Sequence, residues 1–233
     1  MDGTKYKGIG GGWILSAHAE GGYIHALQSS PGPGRDAIRL TDRFFGPDLR
    51  GFDIRGIGPR VVRTPYDLSG NLVQPTNTNN QVVDALGGKA YYMGRIELEF
   101  PTSSTLRSVG LRPSAFIDIG SLFSLTKPPL LDILKFCSAT NQPTQQINGG
   151  APNTSCTQFN VNGATGYADD SSHAAGGFKE FFLGDSPKPR LSIGIGVNWT
   201  SPFGPLRLDL AKAILKQKGD ETKLFSFNVG TAF

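Results

Sequence analysis

The residues in this chain that could do chemistry are three histidines, two cysteines, a glycine-rich start and one arginine set among aromatics. His18, His25 and His173 have no Ser or Asp framework around them such as Gly-x-Ser-x-Gly, so no activated nucleophile is expected. Gly8-Ile9-Gly10-Gly11-Gly12 is not followed by Lys-Ser/Thr and opens no helical pattern, which argues against a phosphate loop. Cys137 and Cys156 lack CxxC or His spacing and lie in an Asn/Thr/Gln/Pro-rich stretch, so they read as a candidate disulfide rather than a zinc site. Closing a loop of that size would contribute on the order of 3 kcal/mol. The expectation is a protein with no enzymatic activity, no catalytic residue, no cofactor and no metal. What remains is Arg50, within Phe44-Phe45-Gly46-Pro47-Asp48-Leu49-Arg50-Gly51-Phe52, in the middle of a long segment that otherwise reads as loop. A guanidinium there is suited to charge pairing, because its fork of donors bridges two carboxylates where an ammonium does not.

The elements that must position such an arginine are strands. No run of 18 apolar residues occurs, which excludes a transmembrane helix on sequence grounds. A membrane β-barrel hides in a composition like this one, with 31 Gly, 16 Pro and 38% hydrophobic residues, because alternating strands average out as polar. The net charge of +4 is mild and its Lys and Arg are scattered, so nucleic acid is not an expected partner.

Period-two alternation predicts about six strands. From Trp13 to Leu27, Trp13, Leu15, Ala17, Ala19 and Tyr23 share a face against Ser16, His18 and Glu20. From Ala90 to Phe100, Tyr92, Ile96, Leu98 and Phe100 oppose Tyr91, Met93, Arg95, Glu97 and Glu99. Near Leu111 to Leu122, Ala115, Ile117 and Ile119 oppose Ser114, Phe116 and Asp118. Leu191 to Thr200 alternates Leu, Ile, Ile, Val and Trp with Ser, Gly, Gly, Asn and Thr. Leu206, Leu208 and Leu210 alternate with Arg207 and Asp209, and Lys223 to Phe233 puts Phe225, Phe227, Val229 and Phe233 on one side. Residues 5 to 12 offer a seventh strand.

Between these strands, residues 28–88 and 124–189 read as long loops, the second with a short helix around Leu130 to Phe136. Long connections alternating with tight turns are expected of an outer-membrane barrel, not of a soluble sandwich. Aromatics near strand ends, Tyr92, Phe100, Trp199 and Phe233, fit interfacial girdles. The start, Met1-Asp2-Gly3-Thr4-Lys5-Tyr6, lacks the basic and apolar regions of an export signal, so the sequence is expected to be a fragment or to have lost its beginning.

Several ordered motifs then carry a resemblance. Leu49-Arg50-Gly51-Phe52 with Gly58-Pro59-Arg60, Gly87-Gly88-Lys89-Ala90 entering a strand that ends Leu98-Glu99-Phe100-Pro101, Phe116-Ile117-Asp118-Ile119-Gly120, Ser201-Pro202-Phe203-Gly204-Pro205-Leu206-Arg207, and Gly219-Asp220 before a terminal Phe-x-Phe-x-x-Gly-x-x-Phe are similar to the C-terminal part of outer-membrane barrel assembly factors of the BamA/TamA bacterial surface antigen superfamily. The resemblance implies an all-β fold, the C-terminal portion of a sixteen-stranded antiparallel transmembrane barrel in the bacterial outer membrane, with the POTRA repeats and N-terminal strands absent. It implies that 28–88 folds back into the lumen and that Arg50, Gly51 and Phe52 lock to the wall through Glu99 and Asp118, which lie on the wet faces of neighbouring strands.

The resemblance further implies insertion of nascent barrels through a lateral gate in the last strand, with Phe225, Phe227, Gly230 and Phe233 at that strand. Its partners would be nascent outer-membrane barrel proteins, outer-membrane assembly lipoproteins, periplasmic chaperones and membrane lipids. A TamA-like translocation factor, a two-partner-secretion-type pore and a passive porin are the alternatives.

Overall fold

The computed structural model describes residues 1–65, 72–73, 82–133, 158–161, 164–167, 178–201 and 204–229. These fall in two units, one of Met1–Arg60, Ala85–Lys127 and Leu183–Phe233, the other of Val61–Asp84 and Pro128–Phe182. Cys137, Cys156, Gly230 and Phe233 lie outside the described residues.

The first unit is built on one antiparallel sheet of seven strands, β1 (Asp2–Gly10), β2 (Trp13–Tyr23), β5 (Ala90–Glu99), β6 (Leu111–Phe123), β11 (Arg190–Ser201), β12 (Gly204–Leu215) and β13 (Phe225–Val229), in that spatial order. The connections sort by length. At one end β1 meets β2 through Gly11 and Gly12, β5 meets β6 through a short link holding helix α1 (Ser104–Ser108), and β11 meets β12 after Ser201. At the other end lie the three longer connections, 24–89, 124–189 and 216–224.

The alternation read from the sequence is present, but it runs opposite to that of a protein dissolved in water. On the inner face Asp118 and Ser192 are 0% exposed, and Glu97, Ser114, Arg207 and Asp209 are buried with them. On the outer face Ile96, Ile117, Ile119, Ile193, Leu208 and Leu210 are exposed, and Ile195 reaches 58%. In water each such side chain forgoes about 1.5–3 kcal/mol of burial free energy, while buried charges cost more unless paired. A bilayer reverses the first of these terms, and paired partners inside the wall remove the second. No helix among the described residues is long and apolar enough to cross a membrane. Aromatics mark the ends of the wall. Trp13 meets Phe100 edge-on at 5.3 Å, and the Trp199 indole donates to the Val109 carbonyl at 3.0 Å, both near the short turns. Tyr92 donates to the Pro187 carbonyl at 2.9 Å at the opposite end.

Four differences from the sequence reading have physical reasons. β2 ends at Tyr23 rather than Leu27, because there the chain turns off the wall and the Ile24 N–H bonds to Lys89. β1 starts at Asp2 and pairs with β2 along its length, with one register shift between Gly8 and Gly10, even though Lys5, Lys7 and its glycines blur the apolar pattern. The segments 28–88 and 124–189 are not loop throughout. They contribute β3 (Arg60–Pro65), β4 (Val82–Ala85), β7 (Asp132–Ile133) and β10 (Phe178–Leu183), paired as one sheet, and a hairpin of β8 (Gln158–Val161) and β9 (Ala164–Tyr167). Finally, Asp132 and Ile133, within the expected helix at Leu130 to Phe136, are extended because they pair with Lys179 and Phe178.

In the first unit the long segment is pinned near its start by Asp36. Its carboxylate accepts hydrogen bonds from the backbone N–H groups of Ile38 and Thr126, each at 3.0 Å, and lies 3.0 Å from the Lys89 ammonium. Burial alone would raise its pKa, but the two N–H donors and Lys89 outweigh that and bring it to about 2. A carboxyl depressed on folding stabilises fully above its unfolded value of about 3.9 and loses that contribution as pH falls through about 2. Pepsin nicking of residues 28–43 is therefore expected to rise as pH falls from 4 to 2. In Asp36→Asn the segment is expected to be nicked already at pH 4, with little further change.

Candidate functional site

After Phe44 the long segment lies down on the inner face of the sheet. Phe44 forms a backbone bridge with Gly88 and packs edge-on against Tyr91 at 4.7 Å. Leu49, Phe52 and Ile57 then form the buried apolar cluster of the unit with Met93 and Leu122 from β5 and β6. Two glycines allow this approach. Gly58 sits at φ +95°, and a Cβ there would come 2.6 Å from Leu122 Cδ2. Gly51, at φ +87°, brings the backbone so close that a Cβ would lie 3.2 Å from both Ala211 Cβ and Ser192 Cβ.

Between Leu49 and Gly51 the Arg50 side chain enters a cradle of wall residues. Its Nε and Nη2 donate to the two oxygens of Asp118 at 2.8 and 2.6 Å, and its Nη1 donates to Glu97 Oε2 at 2.7 Å. The Arg50 backbone N–H adds a third donor to Asp118 at 3.2 Å, and the guanidinium carbon stands 3.3 Å over the Phe116 ring. Such bidentate, charge-assisted contacts between buried groups are the strong kind of hydrogen bond.

The carboxylates are shared. Arg207 Nη2 donates to both Glu97 oxygens at 3.0 Å while its Nε reaches Asp209 at 3.0 Å, and the Ser114 hydroxyl donates to Glu97 at 2.7 Å. Arg95 Nε donates to Asp118 at 3.2 Å. Three guanidinium groups, Arg50, Arg95 and Arg207, thus meet three carboxylates, Glu97, Asp118 and Asp209.

The acid on β5 that meets Arg50 is Glu97, not Glu99. Both residues share a face, but register decides depth. Glu97 pairs across from Phe116, one step from Asp118 along β6, whereas Glu99 pairs with Ser114, nearer the short turn. Successive residues on one face are about 6.6 Å apart, too far for Glu99 to replace Glu97. Glu97→Gln is expected to destabilise the docked loop by about 1–3 kcal/mol, as for a charged hydrogen-bond partner, and Glu99→Gln by no more than about 0.5 kcal/mol. Urea titration of protease protection over residues 44–60 distinguishes the two.

The sequence reading also missed a second cluster nearer the long-loop end. Arg60, fully buried, lies 3.1 Å from Glu221 and donates to the carbonyls of Arg55 and Gly58. Arg190, also fully buried, holds Asp220 at 3.1 and 3.2 Å and donates to the Ser121 hydroxyl and the carbonyls of Ser186 and Gly184. A Gly-Pro-Arg run and an arginine opening a strand give no pattern from which these partners could be read. Phe225 and Phe227 lie on the outer face of β13, exposed beside Leu210 and Leu208.

Beside this inverted sheet with a loop clamped to its inner face by charge stands a family match: the model of the Omp85 superfamily domain matches residues 1–233. The chain belongs to the Omp85 superfamily. Two curated relatives are named outer membrane protein assembly factor BamA. The one from Neorickettsia risticii (strain Illinois) is 25% identical over 99% of this chain and 24% of its own length. The one from Neisseria meningitidis serogroup B (strain ATCC BAA-335 / MC58) is 36% identical over 84% of this chain and 19% of its own length. The chain therefore spans about a quarter or less of the relatives it matches. Among solved structures, that of BamA from Haemophilus ducreyi lacking POTRA domains 1-3 aligns over 97% of this chain and 33% of its own, with a TM-score of 0.49 and 20% identity. This BamA-like Omp85 chain is a portion of an outer-membrane β-barrel wall.

Proposed function

We propose that this chain is the gate-bearing wall of an outer-membrane protein assembly factor that inserts nascent β-barrel proteins, without bond-making or bond-breaking chemistry of its own. The observation that carries the reading is β13. It pairs with β12 from Phe225 through Val229, where the described residues end, and among the described residues it has no neighbour on its other side. An edge strand of this kind, in a wall whose outer face is apolar, offers backbone donors and acceptors at bilayer depth, where they must find partners. An incoming strand satisfies them by augmentation.

In this reading Phe225 and Phe227 belong to the gate strand. Arg50, Gly51, Phe52, Asp118 and Glu97 hold the loop over the lumen while the gate works. The partners are nascent barrel proteins, membrane lipids, outer-membrane assembly lipoproteins and periplasmic chaperones. The names of the two BamA relatives support the same assignment.

The test reconstitutes the protein carrying this chain into lipid vesicles and follows folding of an unfolded client barrel by its heat-modifiable gel mobility. Faster folding than in empty vesicles is expected. Ion conductance with no acceleration would replace the reading with that of a passive pore.

A further inference from the structure

The last strand, β13, has one neighbour among the described residues, and the residues leading into it are bonded closely to the folded-back segment. Asp220 is fully buried against Arg190. Glu221 is paired with Arg60, accepts the Asp53 N–H at 3.0 Å and donates its own N–H to the Gly56 carbonyl at 2.8 Å. Thr222 forms a bridge with Phe52, and the Lys223 N–H donates to the Gly51 carbonyl at 3.2 Å. Every residue from 220 to 223 is thus tied either to the folded-back segment or to a buried arginine, and β13 begins two residues later.

The pattern of these bonds is that of a short antiparallel ladder. Gly51 and Asp53 exchange with Lys223 and Glu221 around the Phe52–Thr222 pair. Phe52 is also in the buried cluster, and Gly51 adjoins Arg50 in its cradle. The ladder therefore joins the docked tip directly to the lead of the last strand.

We infer that residues 51–56, together with Arg60 and Arg190, act as a strut that sets the position of β13, so that docking of the Arg50 tip and seating of the terminal strand are one equilibrium. Arg60 and Arg190 are positioning residues: they touch the lead at Glu221 and Asp220 and act on the strand through it. This rests on the reading of β13 as the gate strand. It adds that the loop over the lumen, remote in sequence, helps to hold that gate.

The strut is testable by hydrogen–deuterium exchange of the protein carrying this chain in lipid vesicles, with no client present. Asp53→Pro removes the N–H that bonds Glu221, from a position remote in sequence from β13, and Asp53→Ala retains it. Exchange across residues 225–229 is expected to rise on the order of tenfold in Asp53→Pro, as for loss of a net hydrogen bond, and to stay within about twofold of wild type in Asp53→Ala. Arg60→Gln, which leaves the backbone ladder in place, is expected to raise the same amides and keeps the test decisive if the proline also loosens β5 and β6.

Faster exchange at 51–56 and 221–223 with 225–229 unchanged in both Asp53→Pro and Arg60→Gln would overturn the strut. Release of β13 with no change in client folding would leave the strut standing and remove the proposed function instead.

Discussion

Arg50→Ala is expected to free the folded-back loop, at a cost of about 3–5 kcal/mol for an arginine withdrawn from buried carboxylates. The lower end of that range applies here. Asp118 keeps Arg95 at 3.2 Å and Glu97 keeps Arg207 at 3.0 Å, so neither acid is left bare when Arg50 is gone. The loss is concentrated in the loop, which gives up three side-chain donors to carboxylates and the stacking on Phe116. In vesicles, subtilisin is expected to cut within residues 44–60 of the variant and to spare them in the wild type.

A cycle with Asp118→Ala tests the pairing itself. The two changes together are expected to cost less than their sum by about 1–3 kcal/mol, as for groups in one network. Strict additivity, or wild-type protection in Arg50→Ala, would show that the apolar cluster alone holds the loop.

Gly51→Val is expected to be comparably damaging for a reason that has nothing to do with charge. At φ +87° a β-branched residue carries backbone strain of about 1–3 kcal/mol. Its Cβ would start 3.2 Å from Ala211 Cβ and Ser192 Cβ, and the two further methyl groups would overpack a closed contact by about 1–3 kcal/mol more. The loop must then lift from β11 and β12, and the Lys223 bond to Gly51 goes with it. Gly51→Ala, which adds only the Cβ, is expected to fall between wild type and valine in the urea midpoint for loop protection. A valine variant as stable as the wild type would mean that the backbone at this point is not held against the wall.

Strand identity was legible because each spanning strand repeats its chemistry every second residue, as Leu191, Ile193, Ile195, Val197 and Trp199 do most plainly. Parity, however, reports a face and not a depth. Glu97 and Glu99 are equivalent by parity, and only the pairing of β5 with β6 puts one beside Asp118 and leaves the other nearer the turn. β1 was faint because Lys5 and Lys7 stand on the same side as Gly3 and Ile9, so neither face is uniformly apolar. Arg60 and Arg190 were invisible as a site, since their partners, Glu221 and Asp220, lie 161 and 30 residues away and meet them only through the fold.

The balanced set of three guanidinium groups and three carboxylates on the inner wall has one more consequence. A bundle of opposite charges that cancels within itself and, Arg95 apart, is buried projects little field outward and gives mobile ions little to shield. An exposed pair such as Lys223 with Asp53 weakens in brine and tightens in fresh water. The clamp on Arg50 does neither, so a cell moving between dilute and saline surroundings would keep the same hold on its loop.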